Sequence, residues 1–281
     1  MSDIKYDEIG YWSEVKLDIL REYASTYSRI LSVQKNPRLY HLYIDAFAGA
    51  GKHKSKMTGE FIPGSPTNAL LVSPPFKEYH LVDLNEKKAE LLEDLAGGRA
   101  DISVYNGDCN EILLKSIFPK ASYRNYKRAL CILDPYGLHL DWDIMHTAGK
   151  MRSIEIFLNF PVADMNRNVL WRDPQSVPES QIDRMNTFWG DDSWKSVAYH
   201  PSPQGSLWGE EKIDKATNDQ IAAAFQKRLK EVAGFGYVPD PLPMRNSQNA
   251  IVYYLFFASH KPVAAKIVTE IFKKYQHYMV H

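Results

Sequence analysis

Two cysteines in 281 residues, Cys109 and Cys131, are too few for a disulfide framework or a cysteine-only metal site. Cys131 lies inside the apolar run ALCILD, where a free thiol is ordinarily buried. Net charge is missing as well. The 34 Lys and Arg balance 34 Asp and Glu, which removes long-range attraction as a general reason to bind nucleic acid or a membrane surface. No apolar run reaches the roughly 18 residues of a bilayer span, and MSDIKYDEIG lacks the basic start and apolar core of a secretory signal. A cytoplasmic protein with no membrane partner is expected. The nine histidines show no HExxH or paired spacing, so zinc hydrolysis has no support and no metal site is expected.

What is present is length enough for one large α/β domain with insertions. Residues 12–33 space Val15, Ile19, Leu20, Tyr23, Tyr27, Ile30 and Leu31 at three to four, which predicts an amphipathic helix with Ser13 as its N-cap. Near-continuous apolar runs recur at 41–47, 78–84, 101–107, 128–134 and 154–160, the pattern of strands covered on both faces. Helical spacing lies between them at 85–96 and 110–118, and strand, helix, strand in repetition implies right-handed crossovers and a parallel sheet. From about 162 to 235 the composition turns to Trp, Asn, Asp, Pro and Ser, closed by a helix over 218–234, which predicts a partly helical insertion above the sheet. IVYYLFF, 251–257, reads as another buried strand with PLPMRN before it able to pair antiparallel, and a last helix starts at KPVAAK. The tail KKYQHYMVH reads as the end of that packed helix rather than as a nucleic-acid arm. The expectation is a single domain over 1–281.

In such sheets ligands bind beyond the carboxyl ends of the strands. Those ends carry Asp45, Asp83, Asp108, Asp134 and Asn159. One aspartate there is usually a helix cap; several converging on one edge are harder to treat as unrelated caps. The turn after the first strand, DAFAGAGKHK, is not a phosphate loop: counting back from Gly51-Lys52 puts Ala46 at the first glycine position, and His53 replaces the magnesium-binding hydroxyl. Nor is it a dinucleotide fingerprint, because Lys54 stands where the third glycine would follow Gly49 and Gly51. Lys52 and His53 are expected in a solvated loop. PGSPTNALLVSPPF then suggests an elaborated loop with GSPTNALLVS as the first helix.

A cofactor without a pyrophosphate suits this turn, and S-adenosylmethionine is one. An acid before the glycines can meet its amino acid part, an acid ending the second strand its ribose, and an acid after the third its adenine; Asp45, Asp83 and Asp108 stand in that order. DAFAGAG, LVDLN and NGDCNE resemble the successive motifs of class I methyltransferases, which adds Phe47, Gly49, Gly51, Leu84 and Cys109 to the expected cofactor site. LDPYG, 133–137, resembles a shortened form of the strand-end motif with which amino-methyltransferases hold an exocyclic amine, so Asp134, Pro135 and Tyr136 are the catalytic candidates and a nucleobase or nucleotide the substrate class; a plain turn is the other reading.

The order of KLDILREYASTYSRIL, DAFAGAG, LVDLN, LDPYG, LNFP, MNRN, FWGDD, PLPMRN and YYLFFASHK resembles the three-Cys-motif partner protein family over nearly the whole chain. The resemblance implies a Rossmann-like class I methyltransferase fold, a three-layer sandwich with an antiparallel C-terminal strand, and a genomic partner of iron–sulfur or radical type that carries the cysteines. Asn159, Asn166 and Arg167, past the fifth strand, either line a substrate pocket or cap helices and turns. Arg245 either holds a phosphate or carboxylate or pairs with an acid on the insertion. A catalytically silent binding module serving the partner is the alternative to an enzyme, with a nucleotide-dependent oxidoreductase behind both.

Overall fold

The structure, a computed structural model, describes residues 6–35, 37–201, 213–246 and 248–278. Part of the expected insertion, 202–212, and the last three residues of the tail lie outside them. Seven strands form the main sheet: β1 (Tyr40–Asp45), β2 (Glu78–Asp83), β3 (Ile102–Asn106), β4 (Lys127–Leu133), β5 (Ile154–Phe160), β6 (Leu242–Arg245) and β7 (Ile251–Ala258). Their order is β3-β2-β1-β4-β5-β7-β6. Pairing is parallel from β3 to β5, and β7 runs antiparallel to both β5 and β6. This is the Rossmann-like class I methyltransferase arrangement, with the antiparallel strand in the expected place.

The apolar runs are continuous because successive residues enter two different cores. Leu42 and Ile44 of β1 pack on one face with α3 (Trp142–Met151), α4 (Glu179–Trp189) and α5 (Asn218–Glu231). Tyr43, between them, packs on the other with α1 (Tyr11–Ser32) and α6 (Pro262–Tyr278). α2 (Glu86–Ala96) adds Leu92 to that second core. Aromatic rings fill both layers: Tyr23 meets Phe257 at 4.9 Å between centroids on one face, and Phe160 meets Phe225 at 4.6 Å on the other. Burying a ring of this size contributes about 1.5–3 kcal/mol, so the helices are anchored chiefly by these contacts. Phe188 and Trp189 of α4 join the same core as Phe160, so this part of the compositionally shifted segment packs against the sheet.

Local boundaries depart from the sequence reading at four places. α1 starts at Tyr11 with Gly10 extended at the N-cap position and no side-chain cap; Ser13 sits inside the first turn, its N–H on the Gly10 carbonyl at 3.0 Å. The helix expected over 110–118 is a single α-turn, Cys109–Ile112, that widens into a π segment, Leu113–Ile117, and closes as a 3₁₀ turn, Phe118–Lys120. Pro119 has no N–H to continue the ladder, and the wider turn lets Leu113, Ile117 and Phe118 all be buried. GSPTNALLVS is helical only over Ser65–Leu70, stopping ahead of Pro74 and Pro75. Lys52 and His53, expected in a solvated loop, belong to a strand, Lys52–Ser55, between Phe61–Pro63 and Glu8–Ile9.

Candidate active site

Strand order reverses between β1 and β4, and at their carboxyl ends opens a cleft of about 930 Å³, within the usual range for a drug-sized ligand. The loops after β1, β2, β3 and β4 line it, and α4 closes it from the insertion. The structure brings Phe47, Gly49, Asp83, Leu84, Asp108, Cys109, Asp134 and Tyr136 together on its wall.

Asp83 ties two of these loops. One oxygen accepts the Gly49 N–H at 2.9 Å and the other the Asn85 N–H at 2.8 Å, so the carboxylate is fixed at the strand end while each oxygen keeps a lone pair free. Gly49, at φ +65°, takes the left-handed conformation that residues with a Cβ rarely adopt. Leu84, 76 % exposed, offers an apolar ledge beside them. Asp108 accepts from the Asn110 N–H at 2.9 Å as an N-cap. Cys109 is buried; burial, then Asp108 and Asp141, push its thiol up to about 12, so it is no nucleophile.

Asp45, expected to meet the cofactor's amino acid part, lies under the cleft rather than on its wall. It is fully buried, accepting from the Tyr43 hydroxyl at 3.2 Å and the Phe47 N–H at 3.3 Å. Burial raises its pKa to about 6 against the opposing hydrogen bonds, and nearby Asp134 adds to the rise. Gly51 is likewise off the wall: at φ +75° its missing Cβ makes room for Leu95 of α2, and its carbonyl accepts from the Thr67 hydroxyl at 2.6 Å.

Asp134 has an environment that the LDPYG motif does not announce. Lys16, buried on α1, donates from Nζ to one of its oxygens, and Asn159 Nδ2 donates to the other at 2.7 Å. Burial works against the Lys16 charge, yet Asp134, Tyr253 and Asp45 together raise its pKa above the ordinary value. Asn159 therefore stands behind Asp134 rather than on the wall, with its own Oδ1 buried and unpartnered among the described residues. Pro135 is buried in the turn, while Tyr136 is 89 % exposed at the cleft mouth.

Three expected substrate residues do not reach the cleft. Asn166 is spent inside the insertion, its Nδ2 on Val162 O and Asn218 Oδ1 and its Oδ1 on Lys215. Arg167 is exposed and contributes only its carbonyl, to Trp171. Arg245 donates to Asn249 O at 2.8 Å across the β6–β7 turn. Conversely, the wall contains groups that the sequence reading missed. His53 is half-buried on it with Nδ1 unpartnered among the described residues, and burial lowers its pKa. Lys88 pairs with Asp7 at 2.7 Å, and α4 supplies Asp183, Arg184 and Thr187. Arg184 reaches Gln181 at 2.8 Å and Asp164 at 4.0 Å. Lys16 alone had a readable signal: it sits in the apolar stripe of α1, four residues before Leu20 and seven before Tyr23.

The lining carries six aspartates, at 7, 83, 108, 134, 141 and 183, against Lys88 and Arg184. Burial, then Asp108 and Asp143, raise the Asp141 pKa, as expected where acids crowd. Such a wall favours a cationic ligand and opposes a pyrophosphate or a polyanion. A nucleoside-sized cleft, a fixed acid at the β2 end and a left-handed glycine turn fit S-adenosylmethionine, whose sulfonium is cationic.

No family model matches the chain, and no curated protein matches it. Among solved structures it is similar to a Listeria monocytogenes protein described as a "putative S-adenosylmethionine dependent methyltransferase", at 13% identity and TM-score 0.41 over 85% of this chain and 99% of that one. It is also similar to the CurJ carbon methyltransferase, at 13% identity and TM-score 0.41 over 88% and 55%. A "putative methyltransferase" from Thermobifida fusca matches at 11% identity and TM-score 0.36 over 87% and 81%. At such scores these likenesses carry no argument about chemistry; the class I methyltransferase fold rests on the strand order and the antiparallel β7. No described helix is long and apolar enough to cross a membrane.

Proposed function

We propose that the carboxyl-edge cleft binds S-adenosylmethionine and that the protein transfers its methyl group to a nitrogen of a small planar heterocycle, a nucleobase or a relative of one. The observation that carries this reading is the doubly anchored Asp83 on an acid-rich, nucleoside-sized wall. Asp83 would take the ribose, Leu84 and Asp108 the adenine, and Gly49 the amino acid part. Bound there, the cofactor supplies an electrophilic methyl group. The rest is alignment, which alone can account for several powers of ten in rate. The exposed Tyr136 ring offers a face on which a planar acceptor stacks, Asp134 receives an N–H of that acceptor, and Lys16 with Asn159 fixes the Asp134 rotamer. The acidic lining favours a free small molecule over a nucleic-acid strand. The order of family motifs supports a three-cysteine-motif protein as the partner.

A second reading, a catalytically silent module that holds the cofactor for that partner, is favoured by one observation: both Asp134 oxygens already accept a bond. Transfer of labelled methyl from S-adenosylmethionine to pools of free bases, nucleosides, nucleic acid and the partner protein separates the two. The enzyme reading expects label in a small heterocycle and at least a 100-fold loss in Asp134→Ala with unchanged cofactor affinity. Cofactor binding without label in any pool leaves the module.

A further inference from the structure

At the opposite edge of the sheet lies a second cavity, of about 130 Å³, closed by the C-terminal half of α1, Leu39, the start of β4, the turn into β5 and the link from β7 to α6. Three buried polar atoms in its lining have no partner among the described residues: the Tyr27 hydroxyl, Ser153 Oγ and His260 Nε2. Tyr27 is 6 % exposed and Ser153 2 %, so neither hydroxyl is served by bulk water. Buried hydroxyls ordinarily find partners, and two orphans in one small cavity call for an occupant.

The charges around them say what kind. Arg152 and Lys261 line the cavity with Arg128, whose guanidinium lies over the Tyr123 ring and donates to Lys127 O at 2.7 Å; the acid in the lining, Glu155, is already engaged by the hydroxyls of Tyr23 and Ser259. Burial lowers the His260 pKa, a hydrogen bond to the Gly149 backbone opposes this, and Arg152 and Lys261 lower it further, so both cations act on the ring. Nε2 of His260 is buried and without a partner among the described residues, and in the neutral ring protonated at Nδ1 it is an acceptor. Arg152 also holds φ +60° at the end of α3, a left-handed position that glycine or asparagine usually takes.

We propose that this amino-edge cavity binds a small oxyanion that keeps one proton, of the hydrogen-phosphate type. Its oxygens accept from Tyr27, Ser153, Arg152 and Lys261, and its remaining O–H donates to His260 Nε2. The cavity is too small for a nucleotide, so the ion enters either free or as the phosphate end of a slim molecule.

The test is thermal unfolding of the full chain at pH 7 and constant ionic strength with inorganic phosphate, glycerol phosphate or sulfate. Phosphate is expected to raise Tm with saturation in the millimolar range, at least tenfold more tightly than sulfate, which carries no proton for His260. Tyr27→Phe and Arg152→Gly should each weaken the response at least tenfold. Arg152→Gly suits the left-handed backbone, so misfolding does not confound it, and Asp83→Ala at the far edge should leave the response intact. An equal response to glycerol phosphate identifies a phosphate end as an occupant; a response to phosphate alone identifies the free ion. Phosphate acting no better than chloride, or equally on Tyr27→Phe and Arg152→Gly, overturns the proposal.

Discussion

The two edges of this sheet are lined with opposite charge. At the carboxyl edge six aspartates meet two cations around an open cleft; at the amino edge three cations surround one engaged glutamate in a small cavity. Much of this follows from the winding itself. In a β-α-β crossover the helix starts at the carboxyl edge and ends at the amino edge, and helix starts favour acids while helix ends favour bases. Asp108 at the start of its turn and Lys150 and Arg152 at the end of α3 obey that rule. Acidity at strand ends is thus partly a by-product of the fold. The informative residues are those whose duties exceed capping: Asp83 bridges two loops, Asp134 is held by Lys16 and Asn159, and Tyr27 and Ser153 hold hydroxyls unpaired among the described residues.

The largest effect that sharpens this contrast is at Lys16, the buried cation beneath the acidic edge. Lys16→Met leaves Asp134 and Asp45 without their positive neighbour, and losing the charge-assisted bond of this part-buried pair costs about 1.5–3 kcal/mol. Urea unfolding should show that loss, with much of it recovered in Lys16→Met/Asp134→Asn. An unchanged midpoint for Lys16→Met would mean that the pair is idle.

A smaller effect separates the edges by pH. Burial, then Lys77, lowers buried His41 near the amino end of β1 to about 4, against a partly opposing Pro75 backbone bond. A histidine depressed on folding gives stability that is present above about 6.5 and lost as pH falls toward 4, here about 3 kcal/mol. Asp45, raised to about 6 at the carboxyl end of the same strand, works the other way: the folded state holds its proton more tightly, so this group adds stability as pH falls from 7 toward 4. Unfolding free energies at pH 7 and 4.5 should therefore fall less in His41→Asn than in the wild type and fall more in Asp45→Asn. The same pH dependence in all three proteins would break the assignment.

Most of the scaffold was legible in the sequence because burial on two faces writes a plain signal. β1 to β5 were read to within one or two residues, as were the antiparallel pairing of β7 with the segment before it and α2 with its Asn85 start. Asp83 was legible for the same reason, as an acid ending a buried strand. The rest depended on contacts distant in the chain. Lys16 reaches Asp134 across 118 positions, and α4 brings Arg184 over a cleft built by residues 46–141, so no local pattern marks either. For Asn166 and Arg167 the sequence left pocket and cap both open, because polar residues just past a strand end look alike whether they turn toward the cleft or, like Asn166, into the insertion.

The central claim, that the carboxyl-edge cleft is built for a cationic nucleoside cofactor, is tested most directly by calorimetric titration of the whole chain with S-adenosylmethionine and, separately, NAD, in low and high salt. The account predicts micromolar S-adenosylmethionine binding that weakens with salt and falls at least tenfold in Asp83→Ala, as loss of charge-assisted hydrogen bonds worth about 1.5–3 kcal/mol requires; NAD should not bind. Tight NAD binding, or S-adenosylmethionine affinity indifferent to Asp83→Ala, would contradict it.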